Sequence, residues 1–304
     1  MPERQIVTLD GVEIELSRLD KPFWPEEGLT KAHLIAYYLE VAPYLLPHLK
    51  DRPLSLRRYP EGARDRGFFQ KQAPDFVPPW VRRVPIAAEQ RLIDFIVCDD
   101  LPTLVWLANL GCIDQNPWAS RVPRLDQPDY VIFDLDPFPP AGLKESIRVA
   151  LRLRELLDEL GLVGYPKLSG ATGFHVYLPI AEGYDFGIVR RFAGIIGRHL
   201  RQRAPELITM EWPVARRSGR VFFDHLMNTR GKTVASAYSV RPFPGAPVSA
   251  PLSWNEVHEE LDPRAFSLHS MPGRLAGIGD LFAPVLGHGQ HLEDAVQRLQ
   301  AVVG

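Results

Sequence analysis

Tyr130-Val131-Ile132-Phe133-Asp134-Leu135-Asp136-Pro137 is a short apolar segment that ends in two carboxylates and a proline. Its apolar run predicts a buried strand, and the alternation of side chains along a strand places Asp134 and Asp136 on one face. Two adjacent carboxylates repel each other unless a cation or a shared proton offsets their charge. Their hard oxygen atoms suit a divalent metal ion. Taken alone, such a pair is more often a solvated strand end, so the assignment depends on the rest of the chain.

The composition of the chain excludes several classes of protein. At 304 residues it is long enough for one large domain or two smaller ones. The net charge of −2 means that any site for a polyanion must be a local patch. Two cysteines, Cys98 and Cys112, are too few for a disulfide framework or a four-ligand zinc site. With no signal-peptide pattern and no long apolar run, we expect a cytoplasmic protein without a membrane segment.

The segments on either side of this strand predict a mixed α/β fold. Apolar side chains repeat at helical spacing in some segments, and at a period of two or in short runs in others. Thr30 is the predicted N-cap of the first helix. The predicted helices are 31–46, 101–110, 143–160, 186–203, 254–259 and 292–302, and the predicted strands are 12–16, 53–59, 93–98, 130–136, 163–168, 174–178, 208–212 and 220–224, with 116–123 as a loop.

A second informative stretch is Lys167-Leu168-Ser169-Gly170-Ala171-Thr172-Gly173-Phe174-His175-Val176. The two glycines of a turn between strands allow backbone N–H groups to approach a phosphate. Ser169 and Thr172 add hydroxyl donors, and His175 is placed to donate to a phosphate oxygen. Glycine turns between strands are common, and a lone histidine in a strand is usually structural, so this stretch is a weak indication by itself.

A third stretch, from Arg220 to Thr233, again places an acid, Asp224, after apolar strand residues. Asp224 is therefore a candidate third carboxylate for the same metal site. Arg230 and Lys232, followed later by Arg241, would supply positive charge against a triphosphate. Considered without the other stretches, this segment is more often a solvated basic loop after a core strand.

Two features of the N-terminal part suggest contacts with nucleic acid. Lys21 and Lys31 flank a loop and the first turn of a helix, where free N–H groups and the helix dipole favour a phosphate. Gly67-Phe68-Phe69-Gln70-Lys71 combines two aromatic rings with a cation, as in platforms on which bases stack. The simpler interpretation is two solvated lysines and two phenylalanines that are partly core.

Together these features fit one mechanism. Two metal ions held by the three carboxylates would activate a primer 3′-hydroxyl and stabilise the pyrophosphate leaving group. The glycine turn and the cations would hold the triphosphate in line.

Three motifs carry a resemblance to a known family: Phe133-Asp134-Leu135-Asp136-Pro137, Ser169-Gly170-x-x-Gly173-x-His175, and the run from Asp224 through Lys232 to Arg241. In this order they resemble the polymerase domain of bacterial ATP-dependent DNA ligase D, of the archaeo-eukaryotic primase superfamily. The resemblance extends nearly end to end and includes the loop 244–249. It implies an α/β (α+β) primase-polymerase fold, in which a central, mostly antiparallel, RRM-like catalytic sheet is flanked by helices beside an N-terminal α/β lobe. Residues 1–304 would form a single catalytic domain with lobes of about 1–125 and 126–304.

The resemblance also implies roles for individual residues. The ligands for Mn²⁺ or Mg²⁺, and the catalytic residues, would be Asp134, Asp136 and Asp224. The incoming NTP or dNTP would be held by Arg57, Lys167, Ser169, Gly170, Thr172, His175, Arg230, Lys232 and Arg241. The 5′-phosphate and the template would be bound by Arg18, Lys21, Lys31, Phe68, Phe69 and Lys71.

The family fills gaps and extends broken DNA ends in non-homologous end joining, and it tends to favour ribonucleotides and manganese. This implies a template-dependent nucleotidyltransferase that works near the nucleoid with Ku and a separate ATP-dependent DNA ligase. Two residues depart from the pattern. Thr172 stands where members often have lysine, which puts triphosphate binding in doubt, and Arg18 replaces an asparagine near the first phosphate lysine.

Several alternatives stay open. A gap-filling polymerase of excision repair, a primase and a non-catalytic nucleic-acid-binding relative would share the same motifs. A haloacid-dehalogenase-like phosphatase would use Asp134 as nucleophile and Asp136 as acid and base. That family normally continues with Gly-Thr, whereas this chain has Pro137-Phe138.

Overall fold

In the computed structural model, which describes residues 4–88, 91–287 and 289–303, helices and strands are interspersed along the chain as expected for a mixed α/β fold. The helices are α1 Lys31–Leu49, α2 Leu101–Asn109, α3 Leu143–Glu159, α4 Phe186–Arg203, α5 Met271–Ile278 and α6 Glu293–Val303. The strands are β1 Arg4–Leu9, β2 Val12–Ser17, β3 Pro22–Trp24, β4 Leu29–Thr30, β5 Leu54–Arg58, β6 Phe68–Gln70, β7 Arg83–Ala87, β8 Leu92–Ile96, β9 Cys112–Pro117, β10 Tyr130–Pro137, β11 Tyr165–Leu168, β12 Phe174–Pro179, β13 Ile208–Thr209 and β14 Val221–Asp224.

The chain forms two compact units, each built from three segments. The first unit comprises Met1–Pro123, Thr233–Ala250 and Arg264–Asp280, and the second comprises Arg124–Lys232, Pro251–Pro263 and Leu281–Gly304. The predicted lobe boundary near residue 125 lies close to Pro123 and Arg124, where the chain first passes from one unit to the other. The sequence prediction kept all later residues in one lobe, whereas two later segments belong to the first unit.

The second unit is organised around a five-stranded sheet with the strand order β11-β12-β10-β14-β13. Neighbouring strands are antiparallel except for β13 and β14, which confirms the predicted mostly antiparallel sheet. Phe133 and Phe223 point to one face, where Gly197 of α4 lies so close that an added Cβ would be 2.6 Å from the Phe223 ring. Ser146 of α3 donates to the Leu135 carbonyl at 3.2 Å. Helices therefore pack on this face, and the opposite face carries the predicted carboxylates.

The first unit contains the predicted N-terminal α/β lobe. Its largest sheet has the order β6-β5-β9, and β1-β2, β3-β4 and β7-β8 are two-stranded. Helix α1 buries an apolar face, including Leu34, Tyr38 and Leu45, and packs against α2. As predicted, Thr30 precedes this helix as its N-cap, and its backbone N–H donates to His33 Nδ1 at 3.0 Å.

Several local predictions were wrong. Strand β9 includes residues predicted to begin a loop, because its buried polar side chains, such as Asp114, hide the period of a strand. The strand predicted at 208–212 is only β13, since the Glu211 N–H donates to the Thr209 hydroxyl and the chain turns. The helix predicted at 254–259 is a single 3-10 turn, Trp254–Glu256, and β1, β7 and α5 were not predicted.

Among the described residues, no helix combines the length and the apolar character needed to cross a bilayer.

Candidate active site

The three predicted carboxylates lie on one face of the sheet of the second unit. Asp134 on β10 is directly opposite Asp224 on β14, and Asp136 is two residues further along β10, opposite Phe222. Residues paired across two strands, and residues two apart on one strand, share a face. Asp134 is 4% exposed and Asp224 8%, while Asp136 is partly exposed. The strand register therefore brings together the three acids that the sequence predicted as a set.

A row of ionisable side chains crosses four strands on this face. On the other side of Asp134, β12 places His175 opposite it, and β11 places Lys167 opposite His175. The His175 Nε2 atom is 3.3 Å from the Asp134 Oδ1 atom. Lys167 is completely buried. Burying a carboxylate is costly unless opposite charge or hydrogen-bond donors accompany it. His175 and Lys167 thus help to offset the cost of burying the carboxylates of Asp134 and Asp224.

The glycine turn after β11 is packed against Asp136. Gly170 has φ +72°, a backbone conformation that favours glycine. A Cβ added to Gly173 would lie 2.8 Å from the Asp136 Oδ1 atom, so a side chain at this position would displace the carboxylate. The Ser169 hydroxyl accepts hydrogen bonds from the N–H groups of Ala171 and Gly173, both at 3.1 Å. The sequence predicted that backbone N–H groups of this turn approach a phosphate, but those of Ala171 and Gly173 donate within the turn.

The end of β14 is fixed by two side chains. The Asp224 Oδ1 atom accepts from the Leu226 N–H at 2.9 Å. The buried Asn228 side chain pairs with both backbone groups of Ile132: its Oδ1 accepts from the N–H at 2.8 Å, and its Nδ2 donates to the carbonyl at 2.7 Å. Asn228 therefore holds β10 two residues before Asp134. Asn228 lies within the third motif, but nothing in the sequence indicated this role, because a lone asparagine does not show its partners.

Cations of the second unit lie near the end of β14. The Arg230 Nε atom donates to Asp126 Oδ1 at 2.6 Å on the surface. The Lys232 Nζ atom is 5.8 Å from the centre of the exposed Trp212 ring. Of these two cations predicted to bind the triphosphate, Arg230 thus has an ion-pair partner and Lys232 has an aromatic one.

Arg217 was not predicted and is a buried cation near the carboxylates. Its Cζ atom is 3.4 Å from the centre of the Phe222 ring, which lies opposite Asp136. Its guanidinium donates to the carbonyls of Glu211 and Trp212 at 2.9 and 2.6 Å. Nothing in the local sequence distinguishes Arg217 from its neighbour Arg216.

The electrostatic environment beside Asp224 is positive. Burial lowers the pKa of His225, and three cations lower it further, while Asp224 opposes the shift. These cations are Arg198, Arg190 and Lys232. The sheet edge where β14 ends therefore combines a buried acid with a cluster of basic groups.

In the first unit, the two arginines predicted to bind nucleotide converge on one buried carboxylate. Asp114 on β9 lies opposite Arg57 on β5. The Asp114 Oδ2 atom is 3.4 Å from Arg241 Nε and 3.9 Å from Arg57 Nη1. Burial raises the pKa of the Asp114 carboxyl, and Arg241 and Arg57 oppose the rise. Nothing in the sequence indicated Asp114, because β9 is rich in polar residues and a lone acid does not show its partners.

The predicted template platform is exposed rather than partly core. Phe69 is 66% exposed, and Phe68 and Lys71 are also exposed. The Arg57 Cζ atom lies 5.4 Å from the centre of the Phe69 ring, and Arg58 Cζ lies 5.5 Å from that of Phe68. Exposed rings backed by cations are suited to stacking with bases.

The predicted 5′-phosphate lysines form a second basic cluster in the first unit. The Lys31 Nζ atom donates to Asn109 Oδ1 at 2.8 Å. Burial, and then the charges of Lys21 and Arg18, lower the pKa of Lys31 to about 8. The Lys21 Nζ atom contacts Glu61 Oε2 at 2.5 Å. Lys31 is buried and Arg18 is exposed.

The expectation that free backbone N–H groups add to this cluster was wrong for the first two residues of α1. The Lys31 N–H donates to the Lys21 carbonyl, and the Ala32 N–H donates to the Leu19 carbonyl, both at 2.9 Å. Any contribution of this cluster to binding a phosphate would therefore come from the charges of its basic side chains and not from these two N–H groups.

The chemistry of the three carboxylates fits a divalent metal ion. Two nearly buried acids face each other across β10 and β14, and like charges in such pairs are unfavourable without a cation. Within residues 4–88, 91–287 and 289–303, no three His, Cys, Asp or Glu side chains already form a metal-binding arrangement. Asp134, Asp136 and Asp224 are nevertheless the residues whose oxygen atoms could hold such an ion.

Comparisons with known proteins identify the family to which the chain is similar. Residues 30–282 match the family model described as LigD, primase-polymerase domain. The bifunctional non-homologous end joining protein LigD of Bacillus subtilis is 34% identical over 88% of this chain. The multifunctional non-homologous end joining protein LigD of Mycolicibacterium smegmatis is 30% identical over 90% of this chain.

A solved structure covers the same region. The polymerase domain from Mycobacterium tuberculosis ligase D in complex with DNA superimposes with a TM-score of 0.84 at 30% identity, and the match covers 91% of this chain and 99% of that domain. By contrast, the matches span 43% of the B. subtilis relative and 36% of the M. smegmatis relative. The similarity therefore corresponds to one domain of these longer proteins.

Proposed function

Because the chain belongs to the LigD primase-polymerase domain family, we propose that it is a template-dependent nucleotidyltransferase that fills gaps and extends broken DNA ends. The observation that carries this proposal is the register of β10 with β14, which sets Asp134 opposite Asp224 and places Asp136 on the same face. Two carboxylates on adjacent strands and a third two residues along form a set of oxygen ligands suited to metal-dependent phosphoryl transfer.

The protein residues near the reacting atoms would position the groups that react. Asp134, Asp136 and Asp224 would hold Mn²⁺ or Mg²⁺, which supplies activation of the 3′-hydroxyl and charge stabilisation at the leaving pyrophosphate. His175 lies 3.3 Å from Asp134 and would keep that carboxylate oriented. The turn containing Gly173 lies against Asp136 and would limit its movement.

The groups that would hold the incoming nucleotide are those that the resemblance to the family implies: Lys167, the turn from Ser169 to Thr172, His175, Arg230, Lys232, Arg57 and Arg241. Transfer of a nucleotidyl group from a triphosphate requires little covalent chemistry from protein groups. Holding the triphosphate in line and stabilising its charge therefore account for most of the catalysis. We propose a ribonucleoside triphosphate as the preferred substrate, with manganese as the preferred metal.

The remaining predicted residues would bind DNA. Phe68 and Phe69 would stack on template bases beside Lys71, and Arg18, Lys21 and Lys31 would bind the 5′-phosphate across a gap. The relatives are named for non-homologous end joining, and the M. tuberculosis domain was solved with DNA. We propose the same pathway for this chain, in the cytoplasm at the nucleoid, with Ku and an ATP-dependent DNA ligase as partners.

Primer extension on a gapped duplex tests the proposal. Substrates with and without the downstream 5′-phosphate, each sugar type and each metal would be compared. We expect templated addition that is lost in an Asp134→Ala, Asp136→Ala double variant and kept in an Asp158→Ala variant, which removes an exposed carboxylate of α3. Wild-type rates in the double variant would overturn the assignment of the carboxylates.

The same assay separates the alternatives. Synthesis on a template without a primer would indicate a primase. Equal extension with and without the 5′-phosphate, and with deoxyribonucleotides preferred, would favour a gap-filling enzyme of excision repair. Release of phosphate from a small phosphomonoester without primer extension would indicate the phosphatase.

A further inference from the structure

We propose that Asp114 is a positioning residue for nucleotide addition, because it holds Arg57 and Arg241 together as a pair of cations that face the triphosphate. This inference rests on the proposed function. Asp114 itself is 1% exposed and so cannot meet the nucleotide directly. It would act through the two arginines, which are distant in sequence from it and from each other.

Strand pairing determines where Asp114 is placed. The register of β5 with β9 puts Arg57 and Asp114 directly opposite each other, so their side chains emerge on the same face. Arg241 reaches the same oxygen, Asp114 Oδ2, from the segment 233–250 of the first unit. The backbone N–H of Arg241 donates to the Pro247 carbonyl at 2.8 Å, which fixes the base of that side chain. One carboxylate oxygen is therefore shared by two guanidinium groups.

Charge balance explains why this carboxylate is needed. Arg241 is largely buried, and burial lowers the pKa of its guanidinium; Asp114 opposes this shift, and the charge of Arg57 adds to it. Two guanidinium groups that repel each other would separate without an acid between them. One carboxylate against two arginines leaves an excess positive charge in the cluster, and an anion such as a triphosphate can compensate for it. Asp114 thus allows the arginines to stay adjacent without neutralising both.

The orientation of Arg57 is also restricted by aromatic rings. Its Cζ atom lies 5.2 Å from the centre of the Tyr59 ring and 5.4 Å from that of Phe69. The Tyr59 ring is itself held in place, since a Cβ added to Gly67 would lie 2.4 Å from it. With Asp114 on one side and rings on two others, the direction in which the Arg57 guanidinium can point is limited. The exposed Phe69 ring links this arrangement to the predicted template platform.

Two other roles for Asp114 make different predictions. If it only stabilises the fold, its loss lowers the melting temperature and leaves the kinetics of the folded enzyme unchanged. If it competes with the triphosphate for the arginines, its removal strengthens nucleotide binding. A positioning role predicts weaker nucleotide binding at nearly constant turnover, because the interaction with the triphosphate is made in both the ground state and the transition state.

The test compares Asp114→Asn and Asp114→Glu with wild-type protein in steady-state primer extension. The substrate is a gapped duplex with a 5′-phosphate and one templated ribonucleotide, CTP opposite guanine, in Mn²⁺. Asp99→Asn is the matched control, since it removes a carboxylate that pairs with Arg82 in the same unit but is not part of the cluster. Melting temperatures are measured for every variant.

We expect the KM for CTP to rise by at least about tenfold in Asp114→Asn, as is typical when one partner of a buried charge pair is removed, with kcat within about threefold. Asp114→Glu keeps the charge and displaces it by one methylene, so we expect a KM increase of only about two- to fivefold. Asp99→Asn is expected to retain the wild-type KM.

An unchanged KM in Asp114→Asn, or a lowered one, would overturn the positioning role. If Asp114→Asn does not fold, Asp114→Glu carries the test, and a KM equal to that of the wild type would then overturn it. Failure of the proposed function is distinguishable, because in that case the wild-type protein itself would not extend the primer.

Discussion

The proposed role of Lys31 at the 5′-phosphate predicts that recognition of this phosphate depends on pH in the range where most polymerases are assayed. Lys31 has a pKa of about 8, lowered by burial and by the charges of Lys21 and Arg18. With this value, about nine-tenths of the free protein carries the charge at pH 7 and about one-tenth at pH 9. The 5′-phosphate is already dianionic at pH 7, so its own charge changes little over this interval.

The magnitude follows from linkage between protonation and binding. A bound phosphate favours the ammonium form and raises the pKa of Lys31, so binding above pH 8 requires uptake of a proton. The preference for the 5′-phosphate should therefore be constant below about pH 7, and should fall about tenfold, or about 1.4 kcal/mol, between pH 7 and pH 9.

The measurement is the ratio of extension efficiencies on gapped duplexes with and without the 5′-phosphate, from pH 6.5 to 9.5. The ratio cancels the effect of pH on the chemical step. Lys31→Arg is the matched variant, because a guanidinium keeps its charge throughout this range. Its ratio should stay constant to pH 9.5. A wild-type ratio that does not change with pH, or an arginine variant that declines in parallel, would refute the assignment of Lys31 to the phosphate.

Three further predictions concern the turn, the strand and the template platform. Gly173→Ala should lower kcat at least about a hundredfold with little change in melting temperature, because the new Cβ would lie 2.8 Å from Asp136 Oδ1 and displace it. Asn228→Ala should lower the free energy of unfolding by about 2–4 kcal/mol in chemical denaturation, because two backbone groups of β10 lose their partners in a buried site. Phe69→Ala should weaken binding of a single-stranded template overhang by about 1–3 kcal/mol in a fluorescence titration, whereas Phe76→Ala, which removes a similarly exposed ring of the same unit, should not.

The grouping of the three carboxylates could be predicted because its signal lies in local sequence. The alternation of side chains along one strand is enough to place Asp134 and Asp136 on the same face. A second apolar run that ends in an acid indicated Asp224 as a candidate. What the sequence did not contain was the register, and only the pairing of β10 with β14 sets Asp224 opposite Asp134 rather than one position away. A shift of one residue would have placed the third acid on the helix-covered face.

The features that could not be predicted depend on partners distant in sequence. The proposed positioning role of Asp114 depends on the pairing of β5 with β9. It also depends on a later segment of the first unit, which contributes Arg241. The lowered pKa of Lys31 likewise depends on burial beside Asn109, which lies in another helix. The chemistry of the motif residues can be inferred from their type and spacing. The residues that position them or shift their pKa values are ordinary acids and amides, which only their neighbours in the fold identify.

Two of the predicted phosphate-binding cations pair with acidic side chains, which bears on how the protein would bind DNA. Lys21 contacts Glu61, and Arg230 contacts Asp126. Local carboxylates thus stand where phosphates would bind, which agrees with a net charge of −2 for the whole chain. Binding of a phosphate would then replace a protein carboxylate, and that carboxylate would take up cations from solution as it is displaced.

This exchange predicts a shallow salt dependence. Affinity for DNA normally falls with salt in proportion to the number of phosphates contacted, because each contact releases counterions. Where a displaced carboxylate recaptures a cation, the net release per contact is smaller. The slope of log affinity against log salt should therefore be less steep than the number of basic contacts implies, and Glu61→Gln should steepen it while strengthening binding at low salt. A slope unchanged by that substitution would show that Glu61 does not compete with the phosphate.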